Sequence, residues 1–421
     1  MPSNNIRISI NSEVGQLENV IMHTPGIELE NMTPEYAQKA LYNDILNLNV
    51  AKREHSVYQN VISKVANVFE IEDLLLEAFN NGDNRSDFLK KIAEKEHITP
   101  DVMDYLNSLS NSDLCSAIIK GVELKKDTLT KFLDNDPYEI GPLHNLFFTR
   151  DISIGINNSI FISRMASNVR NREAIIMEHI FKFHPNIATD VVTSPKIDKN
   201  NNNKPISFEG GDFLIAREDI LLVGTGERTT TTGIDFVLNY LKNNRQKGHI
   251  IVQELPHTPA SFIHLDMVFT FINTHQCMVY KPLIMLPNRY LTIHIQYENG
   301  KVTSINEVDN IPAVLKSLGM DLEILYCGGG KELLEEREQW HSGANFFALA
   351  PGKILGYGRN IHTIEELNKK GYEVLTADEV INKNINIYDY KQCVITINGA
   401  ELSRGGGGCR CMTLPLTRRP L

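Results

Sequence analysis

Phe208-Glu-Gly-Gly-Asp-Phe-Leu-Ile215, followed by Ile220-Leu-Leu-Val-Gly224, is a polar turn, an apolar run, a short break and a second apolar run. Short apolar runs bounded by turn residues read as buried strands. The pattern then passes into helical spacing over 233–242. The same order recurs three times. Asn145-Leu-Phe-Phe-Thr-Arg-Asp151 precedes Ser159-Ile-Phe-Ile-Ser-Arg164; His264-Leu-Asp-Met-Val-Phe-Thr-Phe271 precedes Cys277-Met-Val-Tyr280; Asn345-Phe-Phe-Ala-Leu349 precedes Lys353-Ile-Leu-Gly-Tyr357. Helical patterns follow over 172–183 and 363–370. Repetition of a strand-rich unit with a helix attached points to an α/β fold of radial or stacked units, not a single Rossmann sheet. The strand signal Asn19-Val-Ile-Met22, completed by the C-terminal tail, supplies a fifth unit.

Between that first strand and the repeats the chain changes character. Thr33-Pro34 opens a helical stretch predicted to run to about Val68. Residues 71–136 then carry five short amphipathic patterns, over 71–80, 86–96, 99–109, 113–122 and 128–133, without strand signals. The expected organisation is one α/β catalytic domain, 1–70 with 137–421, interrupted by an inserted helical bundle at 71–136. The Asn-rich stretch 196–204 reads as a surface excursion.

Composition narrows the class. The chain has 421 residues, a hydrophobic fraction of 42% and a charged fraction of 22%, which are ordinary for a globular protein. A net charge of −10 argues against a nucleic-acid or anionic-membrane surface. No stretch approaches the roughly 18 continuous apolar residues of a membrane span, and Met-Pro-Ser-Asn-Asn-Ile-Arg7 has no apolar leader core. The six scattered cysteines read as reduced thiols, so the expected location is the cytoplasm.

The polar turns that open the repeats hold the chemistry. Strand ends converging on one face make a natural site. They offer Asn145, Arg150, Asp151, Glu209, Asp212, His264 and Asp266, and the tail Arg404-Gly-Gly-Gly-Gly-Cys-Arg-Cys411 adds a thiol. A guanidinium is a planar cation with donors in a fixed fork, and Asp151 and Asp266 are two carboxylates able to grip it. A thiolate can attack its central carbon, and a bound cation favours the thiolate. His264 suits proton transfer to leaving ammonia and from water, and Glu209 suits the role of orienting it. Other readings of the same residues stand beside this one. Each Asp is a turn cap, His264 a core histidine and each Cys an inert hydrophobe; or Glu209, Asp212, His264 and Asp266 ligate a divalent metal. Nothing has the spacing of a His-Glu-x-x-His site, and the glycine run is not followed by Lys-Ser/Thr as in a phosphate-binding loop.

The chain resembles the arginine deiminase family of the guanidine-modifying superfamily. The resemblance rests on Ser12-Glu-Val-Gly-Gln-Leu17, His23-Thr-Pro-Gly-Ile-Glu-Leu29, Phe148-Thr-Arg-Asp151, Met165 with Arg170-Asn-Arg-Glu173, and Glu209-Gly-Gly-Asp212. It continues through Gly226-Glu-Arg-Thr-Thr230, His264-Leu-Asp266, Arg337-Glu-Gln-Trp340 and Cys411-Met412. It implies a five-bladed α/β propeller with the site on its axis. It also implies hydrolysis of free L-arginine to L-citrulline and ammonia in arginine catabolism, through a covalent S-alkylthiouronium on Cys411, with no cofactor and no metal. His264 is then the general acid and base, Glu209 its partner, and Asp151 and Asp266 the guanidinium clamp. Asn145, Arg170 and Arg228 hold the amino-acid end, and Phe148 packs beside the guanidinium. Homo-oligomers are expected. The chain departs from the family at Gly406, where a second arginine of Arg-Gly-Arg-Gly-Gly is usual, and at Cys409, where Pro or another small residue is common. A relative acting on another guanidine or transferring the amidino group, or a non-catalytic arginine-binding protein, are the alternatives.

Overall fold

The computed structural model describes residues 5–39, 42, 44–96, 98–193, 197–198 and 204–421. Five of its sheets share one topology: an antiparallel pair, a helix, then a strand parallel to the second member of the pair. Phe213–Arg217 and Ile220–Thr225 pair antiparallel, Thr231–Asn244 is helical, and Lys247–Glu254 returns parallel to Ile220–Thr225. The order repeats in Ser153–Ile156, Ser159–Ile162 and Asp190–Val192 with helix Asn171–Phe183. It repeats again in Phe269–Asn273, Gln276–Val279 and Glu323–Tyr326 with helix Ile311–Ser317. Phe347–Ala350, Lys353–Tyr357 and Cys393–Ile397, with helix Ile361–Lys369, form the next unit.

The ends of the chain close the fifth unit. Leu17–Met22 pairs antiparallel with Leu414–Arg418 and parallel with Asn67–Glu70, and helix Leu48–Ser63 lies between. This explains the apolar runs in the sequence. Ile220–Thr225 lies between two neighbouring strands and Ile220, Leu221, Leu222 and Val223 are buried, so no polar alternation is needed. The sheet of Phe213–Arg217, Ile220–Thr225 and Lys247–Glu254 carries an extra hairpin, Thr292–Glu298 and Lys301–Val308, on the Lys247–Glu254 edge.

Two expectations are corrected. The single helix predicted over 33–68 is two, Pro34–Lys39 and Leu48–Ser63. Asn47 starts the second by accepting the N–H of Val50 at 3.2 Å. Val68 is not helical but sits in a strand opposite Val20, because the parallel partner of Leu17–Met22 must come from this stretch. Residues 71–136 hold helices Ile71–Asn80, Arg85–Glu96, Pro100–Ser108, Asn111–Lys120 and Leu129–Phe132. They also hold the short strand Val122–Glu123, which the sequence did not signal and which pairs with Tyr138–Ile140. These helices have no separate core. Leu75, Phe88 and Ile118 belong to one buried cluster with Ile154, Phe161 and Ile176. Each such side chain contributes roughly 1.5–3 kcal/mol by leaving water. Of the Asn-rich stretch, Ile197–Asp198 pairs with Lys204–Pro205, and 199–203 lies outside the described residues.

Candidate active site

Glu209 and His264 occupy the same place in consecutive units. Each is extended (φ −129°, ψ 145° and φ −141°, ψ 161°) and precedes a three-residue 3-10 turn that leads into a hairpin. Those turns carry Asp212 and Asp266. They lock together through Asp212 Oδ1, which accepts the N–H of Leu265 at 2.9 Å. Gly211 is needed for this closeness: a Cβ there would stand 2.5 Å from His264 Nδ1. Glu-Gly-Gly-Asp is a turn, and that turn sets Glu209 against His264.

His264 is buried between two carboxylates. Its Nε2 lies 3.1 Å from Glu209 Oε2 and its Nδ1 3.6 Å from Asp151 Oδ1. Burial opposes its charge, but Asp151, the Glu209 hydrogen bond and Asp212 outweigh burial and raise it to about 9. Glu209 also accepts the N–H of Ala166 at 3.0 Å. Burial would raise its pKa; Arg228, His264 and Arg170 win and hold it at about 2. The pair is thus an imidazolium beside a carboxylate at neutral pH.

Each predicted clamp carboxylate has one oxygen held by an arginine of the chain and one left over. Asp151 Oδ2 accepts from Arg170 Nη1 at 2.7 Å, and Asp266 Oδ2 from Arg410 Nη1 at 2.8 Å. Among the described residues, Asp151 Oδ1 and Asp266 Oδ1 are buried without a hydrogen-bond partner. Leaving a buried carboxylate oxygen unpaired is costly, so a site that does it twice is shaped for an incoming donor. Burial raises the pKa of Asp266 despite Arg410.

Cys411 is 4% exposed. Its Sγ is 3.9 Å from Asp266 Oδ2 and receives Asn345 Nδ2 at 3.3 Å. Burial, then Asp266 and Asp151, push the thiol well above its usual pKa. Cys411, His264, Asp151, Asn145, Phe148, Arg170 and Arg228 line one cavity, together with Gly405, Gly406 and Gly407. Glu209 and Asp266 stand behind this wall, against His264 and Cys411 respectively. Among the described residues, Arg228 Nε and Nη1 are buried without a hydrogen-bond partner, with Nη1 3.6 Å from Glu209 Oε1. Arg170, by contrast, is committed: besides Asp151 it binds Glu173 Oε2 through Nε at 3.0 Å and donates Nη2 to the carbonyls of Asn145 and Phe148 at 3.4 Å.

The glycine run is explained by contact more than by looseness. A Cβ on Gly407 would stand 2.4 Å from Phe148 Cε1, and one on Gly408 2.5 Å from Asn345 Oδ1. Gly406 has φ +88°, a region open to glycine and strained for arginine. Cys409 points into the core, fully buried, and burial pushes its thiol up. Asn345, Arg410 and Glu13 escaped the sequence reading as site residues. Asn345 opens a repeat as His264 does, and Arg410 adjoins Cys411, so each carried a positional signal.

Asp151, Glu209 and His264 bring ligand atoms within 4.8 Å of one another, a spacing a metal ion can use. The charge around them argues otherwise: Arg170 Nη1 is 2.7 Å from Asp151 and 3.9 Å from Glu209, and Arg228 is 3.6 Å from Glu209. Two guanidiniums already balance these carboxylates and would repel a dication. The arrangement suits a planar organic cation better.

Comparison with known proteins agrees in kind. The arginine deiminase family profile matches residues 38–418. Arginine deiminase from Listeria monocytogenes serovar 1/2a is 33% identical over 430 residues, 98% of each chain, and that from Clostridium perfringens strain SM101 is 31% identical over 433 residues, 98% of each. Among solved structures, SxtG, an amidinotransferase from Microseira wollei, superposes with a TM-score of 0.54 at 15% identity over 98% of each chain. A DDAH mutant from Pseudomonas aeruginosa in complex with citrulline superposes with a TM-score of 0.50 at 13% identity, over 95% of this chain and 99% of that one. These two show a shared mixed α/β fold.

Proposed function

The chain belongs to the arginine deiminase family, and we propose that Cys411, His264, Glu209, Asp151 and Asp266 are the residues through which it carries out the family's reaction. That reaction is the hydrolytic deimination of free L-arginine to L-citrulline and ammonia, through a covalent cysteine adduct. The observation that carries the residue assignment is the pair of orphaned oxygens. Asp151 Oδ1 and Asp266 Oδ1 accept the N–H groups of the substrate guanidinium while Arg170 and Arg410 hold the other two oxygens in place.

The chemistry follows from charge. Burial, and then Asp266 and Asp151, keep Cys411 protonated. A bound guanidinium offsets the field of the carboxylates, so the thiol releases its proton to solvent and the thiolate forms as substrate docks. Sγ attacks Cζ, and the tetrahedral adduct collapses as the C–N bond to the departing nitrogen breaks. His264, protonated at neutral pH, gives that nitrogen its proton and ammonia leaves. Left neutral beside Glu209, His264 takes a proton from water, which attacks Cζ of the thiouronium. The C–S bond then breaks, releasing citrulline. Arg228 and Asn145 hold the substrate's carboxylate, and Arg170, still bound to Asp151 Oδ2, faces it from the cavity wall. Phe148 lies along the guanidinium.

Three further readings go with this one. The five sheets of equal topology, closed by pairing of Leu17–Met22 with Leu414–Arg418, are five blades of an α/β propeller with the cavity on its axis. Residues 71–136 are an inserted helical bundle on a catalytic domain made of 1–70 and 137–421. The protein is a cytoplasmic homo-oligomer, a reading supported by the free, buried cysteines and by Leu129 and Phe132, exposed on one short helix with Leu133 exposed at its end. Among the described residues no helix is long and apolar enough to cross a membrane.

The test is a citrulline assay with arginine, agmatine and methylated arginine side by side. Arginine is expected to turn over. Agmatine, which has no carboxylate for Arg228, is expected to fail. Equal rates on arginine and agmatine would overturn the assignment of Arg228 and Arg170.

A further inference from the structure

Behind the Cys411 turn lies a group of buried arginines that outnumber the carboxylates they meet. Arg410 binds Glu13 through Nε at 3.0 Å and Nη2 at 3.1 Å, and Asp266 through Nη1 at 2.8 Å. Arg150 gives its backbone N–H to Cys411 O at 3.0 Å and its Nε to Arg410 O at 3.4 Å. Arg418 gives Nη1 to Gly15 O at 2.7 Å, and its guanidinium carbon lies 5.2 Å from the centre of the Phe347 ring. Arg150, Arg410 and Arg418 are 7%, 1% and 2% exposed, and none of them lines the substrate cavity.

Glu13 is the anion all three share. Burial alone would raise its pKa, but Arg410, Arg150 and Arg418 together hold it at about 2. The count is therefore three guanidiniums against Glu13 and Asp266. Among the described residues, Nη2 of Arg150 and Nη2 of Arg418 have no hydrogen-bond partner. Burial, and then the like charge of Arg410, pulls Arg150 down to about 9, and burial pulls Arg418 down to about 10. A guanidinium does not give up its proton in a protein, so it stays charged and the imbalance must be met by something negative. A water molecule would satisfy the donors and leave the charge.

We propose that the Nη2 groups of Arg150 and Arg418 hold a small monovalent anion of halide size, buried behind the Cys411 turn. One negative charge brings the cluster to neutrality; a dianion would overshoot it. The anion also takes load off Arg410, which can then hold Glu13 on one side and Asp266, beside the thiol, on the other.

The test replaces gluconate by chloride at constant ionic strength and follows thermal unfolding of the intact protein. Raising chloride from about 1 to about 100 mM should raise Tm by roughly 2 °C, as expected for a ligand that binds only the folded state. Arg418→Met keeps an apolar contact with Phe347 and removes the charge, and its Tm should not respond to chloride. Crystals grown in bromide should show an anomalous peak within hydrogen-bond distance of both Nη2 atoms; this measurement decides the matter if Arg418→Met does not fold. A wild-type Tm indifferent to chloride, a response that persists in Arg418→Met, or a water with no anomalous signal at that position would each overturn the proposal.

Discussion

Replacing Glu209 by glutamine keeps the shape of a fully buried side chain and removes its charge. Glu209 Oε2 is 3.1 Å from His264 Nε2, and it is one of the groups that raise the imidazole to about 9. A hydrogen bond to a charged partner contributes about 1.5–3 kcal/mol. At 1.36 kcal/mol per pKa unit, its loss lowers the His264 value by roughly 1–2 units. Asp151 and Asp212 remain, so the fall stops short of the ordinary histidine value. The sign matters. A raised folded pKa means that the proton is held below about 9 and lost as pH rises through it. The step that needs an acid is the departure of ammonia, so the basic limb of kcat/KM should move from near 9 in the wild type to about 7–8 in Glu209→Gln. Activity at alkaline pH should drop by roughly 10–100-fold, and activity at mildly acidic pH much less. The assay is citrulline colorimetry across this range, with circular dichroism confirming the fold at each pH. A basic limb that stays in place in a folded variant would refute the pairing of Glu209 with His264 as the origin of the proton's affinity.

Cys411→Ala should abolish citrulline formation while arginine still binds, visible by calorimetry; residual turnover would exclude the thiol route. Asn345→Ala removes the donor 3.3 Å from Sγ and the acceptor, at 2.8 Å, of the Arg410 N–H. It should lower kcat about 10-fold or more with little change in KM, as loss of positioning does; a pure KM effect would mean that Asn345 contacts substrate instead. Because burial and the flanking carboxylates disfavour a thiolate, a cationic amidine electrophile should alkylate Cys411 at least ~100-fold faster than its neutral amide counterpart. Equal rates, measured by intact mass, would contradict substrate-assisted ionisation. Gly406→Arg puts a side chain at φ +88°, at a cost of roughly 1–2 kcal/mol. It should lower Tm and change KM for arginine; unchanged stability would show that the loop readily adopts another path.

Much of the architecture is legible along the chain. Strands with neighbours on both sides are written as unbroken apolar runs, and the turns before them must carry polar residues because they end at a cavity. Phe208-Glu-Gly-Gly-Asp212 and His264-Leu-Asp266 therefore announce both a repeat and a site. The helix drawn through 33–68 fails for a related reason. Apolar residues at helical spacing say nothing about Asn47 capping a new start, or about Val68 being claimed by Val20. Which side chains could react follows from residue type and turn position, and Cys411, His264, Glu209, Asp151 and Asp266 were named on that ground. How their charges are balanced does not. Glu13 and Arg410 stand 397 residues apart, and Arg410 reaches Asp266 across 144. Arg170, assigned to the substrate's carboxylate by resemblance, is bound to Asp151 and Glu173. Local order along the chain sets strand, turn and residue chemistry; the field at a buried atom is a sum over neighbours in space, and only the folded chain selects them.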